Sequence, residues 1–431
     1  MARISRRQIM AGAAATTLAR PALGQSKPER LVFVGDPGAW KKILNEEQVP
    51  EFQKQTGIRV EITQLPIDAL NARLRSEFAS GSSEIDIVQW TNGWTGWIHR
   101  YLEDHKKLLA TASTITPDWN WDDFIEPALQ MGRFDGVQLG VPYRATVSVL
   151  HYQKALLEAV GFAKPPQTFD EFRDAAIACT KAGAPNRYGV GMFGKQGAAM
   201  VGGFQAFLLS AGGRAYDPKT WEIFINNDKG VAALEFYGDL VTKWKVTPPE
   251  VLTWEFDEIM AGGENDRYAM AVMLAPFGSQ INDPRLSKIP GHWAWAQTPG
   301  LTADLQGRGW IGGWTFSVPT SSKSKQWAAE FIKFATSKPA MLRSMDSGNM
   351  PPRISVLNDP GILKTYGWAA AGAVALAQSE QNPSDEVWGT MEGRLRSGIS
   401  EVLAGQRTAK ASLDAVAADW QRSLRRAGLV K

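Results

Sequence analysis

The sequence contains no arrangement of residues that is typical of a common catalytic or metal centre. The four histidines are His99, His105, His151 and His292. None of them belongs to an HExxH pair, and no GxSxG segment marks a serine nucleophile. His151 lies in an apolar stretch and is interpreted as a core residue. Asp122 and Asp123 are adjacent acids, which we interpret as solvated, since a glycosidase needs two carboxylates that face each other. We therefore expect no bound metal and no serine-hydrolase centre, whereas the spacing of the two acids along the chain leaves open whether they face each other.

One glycine-rich segment imitates a nucleotide-binding motif. Gly189–Gly194 fits the pattern GxGxxG, but in a dinucleotide site the glycines follow a strand. Here Tyr188–Phe193 has the apolar character of the strand itself. The same residues partly match the sequence motif of a phosphate-binding loop. They depart from that motif at Gln196, where serine or threonine is needed. We therefore expect no nucleotide and no other cofactor.

Aromatic and polar side chains follow the predicted strands of the first third of the chain. Strands are predicted at Leu31–Val34, Arg59–Thr63 and Ile85–Val88, with helical patterns between them. This alternation is typical of a parallel sheet, in which ligands bind beyond the carboxyl ends of the strands. The residues at those ends are Asp36, Trp40, Trp90, Asn92 and Trp94.

A second α/β region follows. Val147–Tyr152, Met270–Leu274 and Ile311–Val318 are predicted strands, and Thr168 with Glu171 forms the capping box of a helix. The chain has 17 tryptophans against 8 tyrosines. Many of these indoles are expected in the core, but an indole beyond a strand end offers a flat face to the apolar C–H face of a pyranose ring.

The amino terminus predicts export. Arginines stand near the start, the apolar stretch Ile9–Leu18 follows, and Ala22 and Gly24 have the spacing that signal peptidase requires. We predict a signal peptide over 1–24. The segment Ser5–Met10 resembles a twin-arginine export motif, and an ordinary signal with two adjacent arginines is the alternative.

Charge and cysteine content agree with a soluble exported protein. Lys and Arg total 47 and Asp and Glu 44, and four of the arginines lie in the predicted signal peptide, which contains no acid. The remainder carries a net charge of −1, so we expect no nucleic-acid partner. Cys179 is the only cysteine and lies far from the cleavage site, so we expect no lipid anchor. The expected location is the periplasm.

An ordered set of segments carries a resemblance to a known family. They are Leu31–Val34, Glu51–Val60, Gly81–Val88, Val141–Leu157, Pro166–Phe172 and Ala404–Leu413. Together they resemble the carbohydrate-binding receptors of ABC importers, the family that includes the maltose-binding protein. The likeness covers nearly the whole chain after the predicted signal.

The resemblance implies an α/β fold of two lobes, the type II-like periplasmic-binding-protein fold, with the ligand in a cleft at the hinge. It implies one lobe at 30–142 plus 315–352 and another at 143–314 plus 353–431. The implied function is capture of a mono- or oligosaccharide or a polyol, without catalysis, for delivery to the membrane subunits of an ABC permease. We expect a monomer.

The resemblance also implies the residues of the ligand site. With the residues at strand ends, the predicted set is Asp36, Trp40, Trp90, Asn92, Trp94, Tyr143, Arg144, Phe277, Gly312, Gly313, Trp314, Arg353 and Trp388. Trp90 is the foremost candidate. Trp314 could instead be a core residue, Arg144 an interlobe ion pair, and Trp40 the anchor of the first helix.

Three other functions remain open at this point. A polyamine or other small-solute receptor would share the fold and would hold ammonium groups with acids and aromatic faces. An exported carbohydrate-processing enzyme and a structural periplasmic protein belong to different classes. Release of reducing sugar would identify the enzyme, and a filled, ligand-free cleft the structural protein.

Overall fold

The computed structural model describes residues 26–38, 41–381 and 387–431 of the 431-residue chain. The predicted signal peptide 1–24 and the candidate ligand residue Trp40 lie outside these ranges. Within them, no helix combines the length and apolar character that crossing a membrane requires.

Strands and helices alternate along most of the chain. The strands are β1 (Arg30–Gly35), β2 (Arg59–Gln64), β3 (Ile87–Thr91), β4 (Arg133–Phe134), β5 (Val137–Gln138), β6 (Val141–Gln153), β7 (Tyr188–Gly191), β8 (Tyr268–Leu274), β9 (Trp293–Ala296), β10 (Trp310–Ser317) and β11 (Glu380–Gln381). The helices are α1 (Val49–Thr56), α2 (Ile67–Ala79), α3 (Thr95–Ile98), α4 (His105–Ala110), α5 (Glu126–Gln130), α6 (Lys154–Ala159), α7 (Phe169–Gly183), α8 (Ala198–Ser210), α9 (Asp228–Thr242), α10 (Phe256–Glu264), α11 (Phe277–Ile281), α12 (Lys325–Ala335), α13 (Lys338–Ser344), α14 (Ile354–Leu357), α15 (Pro360–Thr365), α16 (Gly367–Gln378), α17 (Trp388–Leu403) and α18 (Ala409–Arg426).

Local signals in the sequence set several of these boundaries. The capping box predicted at Thr168 and Glu171 is confirmed, and it begins α7. Helix α1 ends at Gly57, whose φ of 71° lies in the left-handed region that favours glycine. A short π-helical turn, Leu44–Gln48, precedes α1.

Most of the strands form one continuous sheet. Its order is β2-β1-β3-β10-β6-β8-β7, with β11 paired to β10 and β9 paired to β6. The pairs β1–β2 and β1–β3 are parallel, as the sequence predicted for the first three strands, and β7 is parallel to β8. Strand β10 is antiparallel to both β3 and β6.

Strand β6 joins the two halves of this sheet. Its first half, Val141–Val147, pairs with β10, whereas Ser148–Gln153 pairs with β8 and β9. The strand is buried at every position. Strand β10 lies very close to it at Gly313, where a Cβ atom would stand 2.1 Å from the carbonyl oxygen of Arg144. Only glycine allows this approach.

The apolar side chains divide into separate cores on either side of this junction. One large core is drawn from 150–293 and 388–424. A second is drawn from 31–149 and 311–376 together with Ala275, and a smaller core lies within the same part of the chain. We call the part around the second and smallest cores the N-terminal lobe and the part around the first the C-terminal lobe.

One stretch packs differently from what the family resemblance implies. Val356, Leu357, Trp368 and Leu376 are buried in a core of the N-terminal lobe. They belong to α14 and α16, which the resemblance assigns to the C-terminal lobe. Helix α16 covers β6 and its antiparallel partner β9.

The glycine-rich segment is explained by packing. A Cβ atom at Gly189 would lie 2.2 Å from the carbonyl oxygen of Ala176, and one at Gly191 would lie 2.4 Å from the ring of Tyr268. These glycines therefore let α7 and a buried tyrosine pack directly against β7. They lie within the strand, as the sequence predicted.

Two buried histidines link folding to pH. His105 is fully buried, and its Nε2 accepts a hydrogen bond of 2.9 Å from the backbone N–H of Val318 while its Nδ1 lies 2.8 Å from the carbonyl oxygen of Glu103. His151 is also fully buried, as predicted, and Trp295 donates to its Nδ1 at 3.0 Å. Burial lowers the pKa of His105 to about 4 and that of His151 to about 3.

These shifts predict a loss of stability in acid. A neutral buried histidine stabilises the folded state fully above its unfolded pKa of about 6.5, and this contribution falls as the pH drops toward the folded pKa. We expect each histidine to contribute on the order of 3 kcal/mol to the difference in unfolding free energy between pH 7.5 and pH 4. Urea denaturation of wild type and His105→Gln at both pH values measures it. The variant should be less stable at pH 7.5 and should lose less on acidification.

The exposed residue His292 provides the matched control, since His292→Gln should reproduce the wild-type pH dependence. An equal acid-induced loss in His105→Gln and wild type would contradict the assignment.

Candidate functional site

A cleft of about 1680 Å³ opens where β6 and β10 pass between the lobes. Nine of the thirteen predicted ligand residues line it: Asp36, Asn92, Trp94, Arg144, Phe277, Gly312, Gly313, Trp314 and Trp388. They come from loops after β1, β3 and β8, from the junction strands and from the first residue of α17. The structure thus brings together residues that are far apart in the sequence.

Tryptophans form the aromatic wall of the N-terminal lobe. Trp94 follows β3 in a 3₁₀ turn and meets the ring of Trp314 edge to face, with ring centroids 6.0 Å apart. The ring centroids of Trp94 and Trp97 lie 6.3 Å apart. The guanidinium carbon of Arg75 stacks over Trp97, 4.3 Å from the centroid of its ring. Indoles fixed in this way present flat apolar faces with little freedom to reorient.

Asp36 is held rigidly at the edge of the cleft. Its Oδ1 accepts a hydrogen bond of 2.5 Å from the side-chain amide of Gln89 and lies 3.2 Å from the ammonium of Lys41. Its Oδ2 accepts from the backbone N–H of Gly38 at 3.1 Å. Lys41 is fully buried and also donates to Gln89 Oε1 at 2.9 Å. Burial lowers the pKa of Lys41, and the neighbouring Asp36 opposes that shift.

Arg144 and its neighbours form the floor of the cleft. Burial lowers the pKa of Arg144 to about 10, against the opposing effects of Asp36 and Tyr143. The guanidinium therefore stays charged at neutral pH, close enough to Asp36 to interact with its charge. Thr146, two residues further along β6, donates to the carbonyl oxygen of Gly312 at 3.0 Å and fixes the two junction strands together.

The wall of the C-terminal lobe is also aromatic. Phe277 begins α11 and packs edge to face against Phe256 at 5.9 Å. Trp388 begins α17, with its ring 6.1 Å from that of Tyr216 and 6.0 Å from that of Trp420. Trp388 is thus anchored in the core while one part of it borders the cleft.

Sequence reasoning missed several residues that line the cleft. They are Arg75 and Trp97 on the N-terminal lobe, Thr146 on the floor, and Phe256 and Gln205 on the C-terminal lobe. Gln205 had a signal that could have found it, because it is a single amide within the otherwise apolar residues Ala198–Leu209. Polar residues in such a helix need a partner.

Three predicted ligand residues prove to be core residues. Trp90 is fully buried and donates from Nε1 to Ser317 Oγ at 2.6 Å, on the face of β3 that packs into the lobe. Tyr143 is fully buried and stacked on Phe316 at 4.5 Å. Both side chains point away from the cleft because neighbouring residues of a strand alternate between its faces.

The third is Arg353, which holds a loop of the N-terminal lobe. Its Nη1 donates to Asp123 Oδ2 at 2.7 Å and its Nε donates to the carbonyl oxygen of Thr336 at 2.6 Å. Asp123 also accepts from the hydroxyl of Ser355, so it is a structural anchor rather than the solvated acid that the sequence suggested. Across the described ranges, no group of three or more His, Cys, Asp or Glu side chains could hold a metal ion.

Comparison with known proteins identifies relatives along most of the chain. A family model described as bacterial extracellular solute-binding protein matches residues 35–342. A probable amino-acid ABC transporter periplasmic-binding protein of Sinorhizobium fredii is 26% identical over 73% of this chain and 70% of its own length. The erythritol/L-threitol-binding protein of Mycolicibacterium smegmatis is 27% identical over 69% of this chain and 65% of its own. The mannitol-binding protein of Pseudomonas aeruginosa is 24% identical over 98% of this chain and 99% of its own length.

A solved structure supports the architecture. Maltose-bound MalE3 of T. maritima superposes with a TM-score of 0.80 and 24% identity, covering 91% of this chain and 99% of that one. The predicted fold class, an α/β fold of two lobes, is thereby confirmed.

The reassignment of Trp90 predicts a stability effect. Trp90→Ala should lower the free energy of unfolding by about 3–5 kcal/mol, because it leaves a cavity and removes the bond to Ser317. Trp314→Ala should cost clearly less, since part of the Trp314 side chain is exposed. Urea denaturation at neutral pH measures both, and equal losses would show that the two rings are equivalent core residues.

Proposed function

The chain belongs to the family of bacterial extracellular solute-binding proteins, and we propose that it captures a sugar or polyol in this cleft and delivers it to an ABC importer. The observation that carries the proposal is the combination of aromatic faces with fixed hydrogen-bonding groups in one cleft. Trp94 and Trp314 offer flat apolar surfaces, while Asp36, Asn92 and Arg144 offer planar polar groups. A polyhydroxylated ligand has both apolar C–H faces and many hydroxyls, and charged partners make the stronger bonds to hydroxyls.

The charge of the cleft also favours a neutral ligand. Its lining contains six acidic and six basic side chains: Asp36, Asp68, Asp257, Asp283, Asp346, Glu392, Lys42, Arg75, Arg100, Arg144, Arg285 and Arg396. Some of them pair with each other, as Arg285 does with Asp283 at 2.6 Å and Arg396 with Glu392 at 2.7 Å. A polyamine receptor requires an excess of acids, which this lining does not have.

The names of the relatives support a polyol as the ligand, and they also identify the alternative ligand class that a test must include. Two of the three relatives are named for binding sugar alcohols, mannitol and erythritol or threitol, and one is named as a probable amino-acid receptor. All three are named as binding proteins. We assign this chain a binding role without catalysis, and amino acids are the comparison class for any test.

We propose that the ligand closes the lobes around the junction of β6 and β10. The cleft of about 1680 Å³ exceeds the roughly 300–1,000 Å³ typical of sites that enclose a small ligand. Rotation of one lobe would bring Phe277 and Trp388 toward the tryptophans of the other and expel water. We place 26–38, 41–147 and 310–378 in the N-terminal lobe and the remaining described residues in the C-terminal lobe.

We further propose that the protein acts in the periplasm as a monomer. The predicted signal peptide 1–24 would direct export and be removed. Cys179 is buried in α7 and is not a candidate for lipid attachment, so the mature receptor would diffuse freely between its ligand and the permease.

A thermal-unfolding panel tests the ligand class. Candidate ligands are mannitol, erythritol, ribitol, glucose and maltose, with glutamate and putrescine as charged competitors. A ligand present at a hundred times its Kd should stabilise the folded protein by about 2.7 kcal/mol. We expect at least one sugar or polyol to produce this shift and neither competitor to do so.

The variant Trp314→Ala tests whether the active ligand binds in this cleft. It should weaken binding of the active ligand by about tenfold or more, as expected for an aromatic anchor. Stabilisation by glutamate or putrescine alone would contradict the sugar or polyol assignment while leaving a receptor role in place.

A further inference from the structure

Helix α8 places one amide at the cleft. Along Ala198–Leu209 its residues are apolar except for Gln205, which lines the cleft together with Ala198 and Val201. Gln205 is only 4% exposed, and its Oε1 has no hydrogen-bond partner among the described residues. A buried acceptor that has lost water and gained no donor costs folding free energy. A leucine or methionine would fill the same space without that cost.

The opposite lobe contains the complementary feature. Asn92 follows β3, is 4% exposed and lines the same cleft. Its Oδ1 accepts from the hydroxyl of Thr91 at 3.3 Å, whereas its Nδ2 donor is buried without a partner in the part of the chain that the structure describes. The N-terminal lobe therefore presents an unused donor and the C-terminal lobe an unused acceptor.

Only some uncharged ligand groups can form hydrogen bonds with both the Asn92 Nδ2 donor and the Gln205 Oε1 acceptor. A hydroxyl donates one hydrogen bond and accepts others, so two hydroxyls of one neutral ligand satisfy Asn92 and Gln205 in the same way. An ammonium group donates to Gln205 but cannot accept from Asn92, and a carboxylate does the reverse. Both amide atoms lie just below the surface that water reaches, so rotation of the amide or closure of the lobes must bring them to the ligand.

We propose that Gln205 is the specificity-determining residue of the C-terminal lobe and that it acts with Asn92 to select neutral hydroxyl groups when the lobes close. This inference rests on the proposed function, because it concerns the same cleft. It goes beyond that function by naming the two atoms, Gln205 Oε1 and Asn92 Nδ2, that would weaken the binding of charged analogues. It also gives a physical reason for the single amide in an otherwise apolar stretch of α8.

Calorimetric titration with a matched ligand series tests the proposal. The probes are D-mannitol, its 1-amino-1-deoxy derivative and D-mannonate, which share one carbon skeleton and differ in charge. Wild type should bind mannitol at least about tenfold more tightly than either charged analogue. Gln205→Leu should lose at least about tenfold in affinity for mannitol, while the unliganded variant is as stable as wild type or more stable.

Two further variants separate this role from a structural one. Gln205→Glu keeps an acceptor and adds a negative charge, so it should shift preference from mannitol toward the amino derivative. Gln196→Leu is the matched control, since Gln196 is exposed just before α8 and lies outside the lining of the cleft, and it should bind like wild type.

The outcomes distinguish this inference from the proposed function. If wild type binds mannitol and Gln205→Leu binds it equally well, the specificity role is overturned and the receptor function stands. Destabilisation of Gln205→Leu with unchanged affinity would identify a structural residue and overturn the role as well. If wild type binds none of the three probes and no other sugar or polyol, the proposed function fails, and this inference fails with it.

Discussion

The close contact of β6 and β10 is the constraint on which the rest of the molecule depends. Gly313 lets the two strands lie so near that a side chain there would collide with the backbone of Arg144. Because β6 pairs with β10 in one half and with β8 and β9 in the other, a single sheet serves both lobes. The cleft is lined by residues of both lobes and by these strands, and in the closure that we propose one lobe turns against the other at this junction.

The same junction sets the electrostatics of the cleft. Arg144 belongs to β6 and interacts with the charge of Asp36, which is itself held by Gln89 and by the buried ammonium of Lys41. Such a network fixes the direction of each hydrogen-bonding group before a ligand arrives, which lowers the ordering cost of binding. Removing one member would leave another charge buried without compensation, so the network acts as a unit.

Local patterns predicted the elements well, and they predicted the cleft where it coincides with strand ends. Asp36, Asn92 and Trp94 follow their strands directly, so position alone predicted where they lie. Trp90 and Tyr143 were misassigned because a slip of one residue along a strand moves a side chain to the opposite face. Gln205 was missed because its significance depends on which face of α8 meets the other lobe. That depends on tertiary packing, which local sequence patterns do not contain. The packing of α14 and α16 on the N-terminal lobe escaped prediction for the same reason.

The interlobe distance tests the central claim, ligand-driven closure over the cleft, most directly. Ile67 and Leu286 line the cleft on opposite lobes and are exposed, and burial raises the pKa of Cys179 to about 11, which protects it from labelling. Nitroxides at Ile67→Cys and Leu286→Cys allow the distance to be measured by double electron–electron resonance. We expect it to shorten saturably with the sugar or polyol that stabilises the protein. Binding of that ligand with no change in distance would contradict the account.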